Sequence, residues 1–385
     1  MSPIFLDVSR LLTRAYENLH PTGVDRVGLA YIQQYGDRAR AIVSRGGASV
    51  IFTEKCSQSI FSLLVSTQRD RNLIRKRLLS GIATAFLQSE YVRGGFLLHT
   101  SHNGMEFQRY YNSMRRRGIR SVFMIHDLIP LTHAEYCRPG VDATHRRRIH
   151  TALNHADGLI GNSQATLDDL AREAQKAGLP VPPSVVARLA SGVTITARSS
   201  APLDEPYFLL LGTIEPRKNH WFMLHIWRRI VETFGTAPKL VIVGRRGWEC
   251  ENVVDMLDRC DSLRPHVIER SDCSDAELHG WIQHARALLF PSFVEGYGMP
   301  LVEAFAAGTP VLASDLGVFK EIAGDTPDYL DPLDGPAWIA RVVDYAQTAS
   351  PARDAQLSRI RRFKEPTWAE HFACVDSLLE SLSCS

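Results

Sequence analysis

The chain has 385 residues, 45% apolar and 22% charged, with seven cysteines and a formal net charge of +2. That size suits two domains with real cores. The composition excludes a disordered or low-complexity chain, and cysteines without a C-x-x-C pair argue against a disulfide framework or a zinc site.

Charge is uneven along the chain. Through residue 195 there are 25 Lys+Arg against 15 Asp+Glu, and 19 against 27 afterwards. The opening MSPIFLDVSRLL lacks the basic and apolar regions of a signal peptide. No window approaches the ~18 apolar residues of a membrane span. The expectation is a cytoplasmic protein.

Ile4–Val8 reads as a strand, and Asp7 at its end is placed to line a cleft. The glycine turn Thr22–Val27 (TGVDRV) precedes a helix over Arg26–Tyr35. Gly23 there either admits a phosphate or acceptor, or makes a plain turn. Ile60–Phe86 interleaves Leu73, Ile74, Leu78 and Leu79 with Arg69, Arg71, Arg75, Lys76 and Arg77. It reads either as a helix on an anionic membrane surface or as a surface helix with one buried face. Ser121–Ile125 is a strand leading into His126 and Asp127 of HDLIP, where a strand's carboxyl end suits a cleft. His126 is a ligand contact or a satisfied core histidine; Asp127 is an orienter or a loop cap. Gly158–Gly161 is a strand followed by a helix capped near Asn162 or Ser163. Ser191–Pro206 is linker-like.

In the second half, Tyr207–Leu211, Lys239–Val243, Ala287–Phe290 and Pro310–Ala313 read as strands. Strands alternating with helices imply parallel sheets covered on both faces. After the first of them, Gly212–Asn219 (GTIEPRKN) sets Arg217 and Lys218 where cations oppose the helix dipole. That mismatch favours a diphosphate ligand, gripped by a guanidinium fork and a point charge. Gly244 opens GRRGW, where a backbone can approach a nucleotide and Trp248 can pack.

The stretch Pro291–Pro310, PSFVEGYGMPLVEAFAAGTP, carries most information. Pro300 suits a first helical turn. Gly296, Tyr297 and Gly298 form a turn that lets backbone N–H groups and a helix dipole face a phosphate. Glu295 in the loop and Glu303 one turn into the helix are placed to bind hydroxyl groups on either side of it. Two carboxylates flanking a phosphate describe a nucleotide-sugar site. An ordinary helix cap is the plain alternative.

These motifs resemble those of retaining GT-B-fold glycosyltransferases, family four: E-x7-E at Glu295 and Glu303, continuing through AFAAGTPVLAS and FKEIAGD, with GTIEPRKN, TGVDRV, HDLIP and VGRRGW. Thr213 departs from relatives with an arginine after the glycine. The resemblance implies an α/β chain of two Rossmann-like domains with parallel sheets and an interdomain cleft. It implies an acceptor-binding domain over 1–193, a donor-binding domain over 194–365, and a helix in 366–385 crossing back to the first. The implied activity is retaining, metal-independent hexose transfer from a nucleotide sugar, with no cofactor.

The resemblance assigns catalysis to His126, Glu295, Arg217 and Lys218. Donor binding falls to Gly23, Gly212, Gly244, Gly296, Tyr297, Gly298 and Glu303, and acceptor or supporting roles to Asp7, Asp127 and Asn162. FLDVSRLL…TGVDRV resembles a subgroup building bacterial surface polysaccharide on lipid-linked acceptors, which favours GDP-mannose, with dTDP-rhamnose or a UDP-sugar as alternatives. It places the protein at the inner face of the plasma membrane. A non-catalytic nucleotide-sugar-binding subunit is the rival outside enzymes. Nucleic acid is not expected as a partner, because interleaved aromatics and reader motifs are missing. Loss of Glu295 or Lys218 is expected to cut turnover with the fold intact.

Overall fold

Short apolar runs with no polar alternation are strands buried on both faces. The computed structural model describes residues 2–66, 70–87, 92–192 and 200–384. Arg69 and the expected 193/194 boundary lie outside the described residues.

Contacts group the chain into two units: Met1–Thr132, Gly140–Leu189 and Thr367–Ser385, then His133–Pro139 and Ala190–Pro366. The first unit holds β1 (Ile4–Asp7), β2 (Ala39–Arg45), β3 (Ala48–Ile51), β4 (Phe96–His99), β5 (Arg120–Ile125), β6 (Gly158–Gly161) and β7 (Ser184–Val186). Their order is β3-β2-β1-β4-β5-β6-β7. All neighbours are parallel, as expected, except the edge pair β2 and β3, which is antiparallel. The cause is local. Gly46 and Gly47 both take positive φ, 54° and 83°, and close a two-residue hairpin.

The helix Trp368–Cys384 packs on this first sheet by burying Phe372, Val375, Leu378, Leu379 and Leu382. Phe372 meets Tyr31 and Tyr35 edge-on, at 5.1 and 5.4 Å. Gly158 permits the approach, since a Cβ there would lie 2.8 Å from Leu382 Cδ1.

The second unit holds β8 (Tyr207–Leu211), β9 (Lys239–Val243), β10 (Val267–Arg270), β11 (Leu288–Phe290), β12 (Val311–Ser314) and β13 (Asp328–Leu330). They are all parallel, in the order β10-β9-β8-β11-β12-β13. Trp227, Trp338 and Tyr345 fill the core beside this sheet. His133–Pro139 belongs with this unit, although the expected first domain was continuous. Aromatic packing explains it: Tyr136 stacks on Phe293 at 5.6 Å and its carbonyl accepts from Trp248 Nε1 at 3.3 Å. No helix among the described residues is long and apolar enough to cross a membrane.

Candidate active site

In the second sheet the strand order reverses between β8 and β11, and such a switch point opens a crevice at the strands' carboxyl ends. The loops after these two strands carry Gly212–Asn219 and Pro291–Gly298. Gly212 takes φ +128°, which a side chain disfavours. Pro216–Lys218 form one 3₁₀ turn, and Asn219 follows in the left-handed region at φ 59°. Asn219 Nδ2 donates to the carbonyls of Pro291 and Pro332 at 3.2 and 3.0 Å, and Phe293 N–H donates to Arg217 O at 2.9 Å. The two loops are thus sewn together through the backbone.

Glu295 receives both cations. Arg217 Nη1 lies 2.7 Å from Oε2, and Lys218 Nζ lies 2.5 Å from Oε1. Ser292 Oγ donates to Oε1 at 2.8 Å, and Arg217 Nη2 also reaches Glu215 Oε1 at 2.7 Å. The Glu295 side chain is only 8% exposed. Burial alone would raise its pKa, but Arg217 and Lys218 overcome that and hold the carboxyl at about 2. Burial pulls Lys218 below the usual lysine range, and Glu295 opposes the pull. The result is two carboxylates and two cations held rigidly, with Lys218 Nζ 5.1 Å over the Phe290 ring.

Beyond Glu295 the chain turns through Gly296 and buried Tyr297 to Gly298, at φ +121°. A Cβ on Gly298 would lie 2.9 Å from Phe319 Cε1, so this bend requires glycine. The helix Met299–Ala306 starts there with Pro300 in its first turn, and Glu303 is buried on it. Gly244, after β9, has a different constraint: a Cβ would fall 1.8 Å from Gly212 O. Its smallness first serves the packing of two loops against each other.

The first unit gathers a second group at its own strand ends. Asp7 accepts from Tyr110 OH at 2.9 Å, Ser44 Oγ at 3.1 Å and Ser9 N–H at 2.9 Å. His126 is buried, and its Nε2–H donates to Thr100 O at 2.8 Å. A carbonyl can only accept, so Nε2 carries the proton and the neutral ring keeps its lone pair at Nδ1. Burial lowers the His126 pKa and keeps it neutral. Asn162 Nδ2 donates to His126 O at 2.8 Å, while Ser163 caps the helix that follows. His145 Nε2–H donates to Asp127 O at 3.2 Å, and His102 packs between His126 and His145 at 5.4 and 4.9 Å. Gly23 opens the helix Gly23–Tyr35 behind the N-cap Thr22. Asp25 closes that cap and pairs with Arg10 and Arg14, at 2.7 and 2.6 Å.

Sequence reasoning missed several of these groups. Glu215 and Asn219 lie inside GTIEPRKN, yet only their partners reveal their work. Ser292 and the histidines at 102 and 145 have no local signal. The T-x-x-D spacing of Thr22 and Asp25 was a legible capping box.

Residues 194–329 match the family model "Glycosyl transferases group 1", and residues 99–182 match "Glucosyltransferase 3-like, N-terminal domain". The serotype-specific mannosyltransferase WbdA of Escherichia coli is 30% identical over 66% of this chain and 33% of its own length. O-antigen chain mannosyltransferase B of the same organism is 27% identical over 65% of this chain and 67% of its own. The chain therefore spans about a third of the WbdA relatives. Anabaena Alr3699/HepE in complex with UDP aligns over 100% of both chains at 16% identity, with a TM-score of 0.62. Sucrose-phosphate synthase of Thermosynechococcus elongatus does so at 15% identity and 0.66. Residues 194–329 thus carry a glycosyl transferases group 1 domain, and the fold is that of the GT-B glycosyltransferases.

Proposed function

We propose that this protein is a retaining glycosyltransferase that moves a hexose from a nucleotide sugar, GDP-mannose first, to a lipid-linked or growing bacterial surface glycan. The observation that carries the reading is the Arg217–Glu295–Lys218 group at the switch point beside the Gly298 helix start. A leaving diphosphate needs cations and a helix N-terminus, and a transferred sugar needs a fixed carboxylate. Arg217 and Lys218 take the diphosphate charge as the sugar–phosphate bond breaks. Glu295 binds hydroxyls of the sugar and faces its developing positive charge. Glu303 binds the ribose hydroxyls, and the nucleotide lies along the backbone of the loops that carry Gly212, Gly244 and Gly296–Gly298. The acceptor oxygen bonds to the anomeric carbon on the face the diphosphate leaves, and its proton passes to that phosphate. The cations do the work a metal would do, so no metal is required.

Acceptor recognition falls to the first unit, through Asp7, Asp127 and Asn162. His126, neutral, does not repel a cationic sugar centre. The mannosyltransferase names of the relatives support mannose as the sugar. A UDP-sugar is the second reading, since the HepE neighbour was solved with UDP and with UDP-glucose.

Thermal shift against GDP-mannose, GDP-fucose, UDP-glucose, UDP-GlcNAc and dTDP-rhamnose tests the donor. Binding to the folded state raises the melting temperature, by about 2.7 kcal/mol of stabilisation at a hundredfold excess over Kd. A rise with GDP-mannose alone is expected, followed by transfer that EDTA leaves unchanged. A rise without transfer favours a non-catalytic nucleotide-sugar-binding subunit, no rise with any donor sinks the reading, and loss of transfer in EDTA sinks the metal-free mechanism.

The protein is proposed to work in the cytoplasm at an anionic membrane face. The helix Arg71–Leu87 buries only Ile74 and Gly81. It exposes Leu79, Phe86 and Leu87 at 56%, 74% and 86%, beside Arg71, Arg75, Lys76 and Arg77. Apolar tips among cations suit a headgroup boundary. The protein should float with vesicles containing phosphatidylglycerol, and the double variant Leu79→Ser, Phe86→Ser should not. Equal flotation of both would remove this helix as the contact.

A further inference from the structure

The helix His220–Phe234 begins two residues after Lys218. Its second residue, Trp221, is 42% exposed, which is unusual for an indole that no core needs. The ring is braced. His225, one turn on, meets it edge-on with centroids 4.5 Å apart at 79°. It borders a shallow open groove of about 470 Å³, whose other side comes from the helix Glu251–Arg259 and the residues just after it.

The polar lining selects a class of ligand. Arg228, Asn252, Asp255, Arg259 and Asp261 face the groove, two cations against two carboxylates. Arg259 Nη2 lies 2.6 Å from Asp255 Oδ2. A lining without net charge has no preference for phosphate, nucleic acid or an anionic lipid. An Arg–Asp pair still offers forked donors beside acceptors, which matches neighbouring hydroxyls. A fixed indole offers a flat apolar surface at little entropic cost. Flat apolar faces rimmed by hydroxyls are the chemistry of a neutral pyranose.

We infer that this groove is a second, non-catalytic site for a neutral glycan chain, held on Trp221 and the Asp255–Arg259 pair. The inference rests on the sugar-transfer reading, because the chain it holds is the growing product. Binding the chain away from its reactive end makes the next encounter intramolecular, with an effective concentration in the millimolar range for a short tether. The groove would thus favour long acceptors over short ones.

Native gels containing mannan, dextran or galactan, with polygalacturonate as the anionic control, test it directly. Wild type should be retarded by at least one neutral polysaccharide, and Trp221→Ala and Asp255→Asn should migrate as in an empty gel. Both side chains are exposed, so the melting temperature should stay within a degree or two of wild type. On a long acceptor Trp221→Ala should raise KM about tenfold with kcat and donor KM unchanged. Wild type retarded by none of the neutral chains, equal retardation by polygalacturonate, or undiminished retardation of Trp221→Ala would each overturn the proposal. Transfer without retardation removes the groove alone. Retardation that depends on Trp221, in a protein that transfers from no donor, removes the transfer reading and leaves the groove.

Discussion

Lys218→Ala should lower kcat by about 10²-fold or more, the usual cost of one charge-stabilising donor in a preorganised site. The geometry explains why a neighbour cannot substitute. Arg217 is already divided between Glu215 and Glu295, and its carbonyl is held by Phe293 N–H. Lys218 has a single charge, 11% exposed, aimed at the same carboxylate oxygen as Ser292. A diphosphate arriving there draws Lys218 over with little reorganisation. Glu295 keeps Arg217 and Ser292 in the variant, so the melting temperature should fall only slightly. Lys218→Arg should restore charge without restoring rate fully, because a fork does not fit where a point charge sits. The check is kcat on the donor found by thermal shift, with the melting temperature measured alongside. Turnover within a few-fold of wild type would falsify the assignment of Lys218 to catalysis.

Glu295→Ala should lose both activity and stability. Removing the carboxylate leaves Arg217 and Lys218 packed together with Glu215 alone to balance them. Breaking a buried pair in this way costs roughly 3–5 kcal/mol, or about 6–20 °C in a domain of this size. Glu295→Gln keeps the volume and still leaves the cations unbalanced, so it separates shape from charge. Its turnover should fall by about 10²-fold.

The pH dependence identifies the cause. Glu295 titrates near 2 in the folded chain, below the ordinary 4.5, so its stabilisation is complete above the ordinary value. That stabilisation is lost as pH falls from about 4.5 through 2, on the order of 3 kcal/mol in total. The gap in melting temperature between wild type and Glu295→Gln should therefore be widest at pH 6–7 and shrink below pH 4.5. A gap that stays constant from pH 7 to 3 would show that the ion pair does not carry the difference.

The glycines, prolines and paired cations were legible because their signals are local. Pro300 starts a helix wherever it stands, and Gly298 bends the chain before it. Gly-Gly at 46 and 47 is equally legible as a hairpin turn, and it makes the one antiparallel edge among the described strands. The helix Trp368–Cys384 announced itself by its apolar spacing. Its seat on the first unit follows from Gly158, whose missing side chain only the packed helix explains.

Sequence alone therefore determined the class of fold, the loops that bear the site and the residue types they carry. Tertiary structure decided what those residues do to one another. Arg217 and Glu295 are 78 positions apart and meet because β8 and β11 are neighbours where the strand order reverses. Their charge states follow from that meeting and from shared burial. Asn162 sits far along the chain from the His126 carbonyl it holds, and Thr100 fixes the tautomer of the His126 ring. Such contacts depend on strand order and loop closure. Local patterns predict each strand, while the pairing of their ends is a property of the assembled sheet.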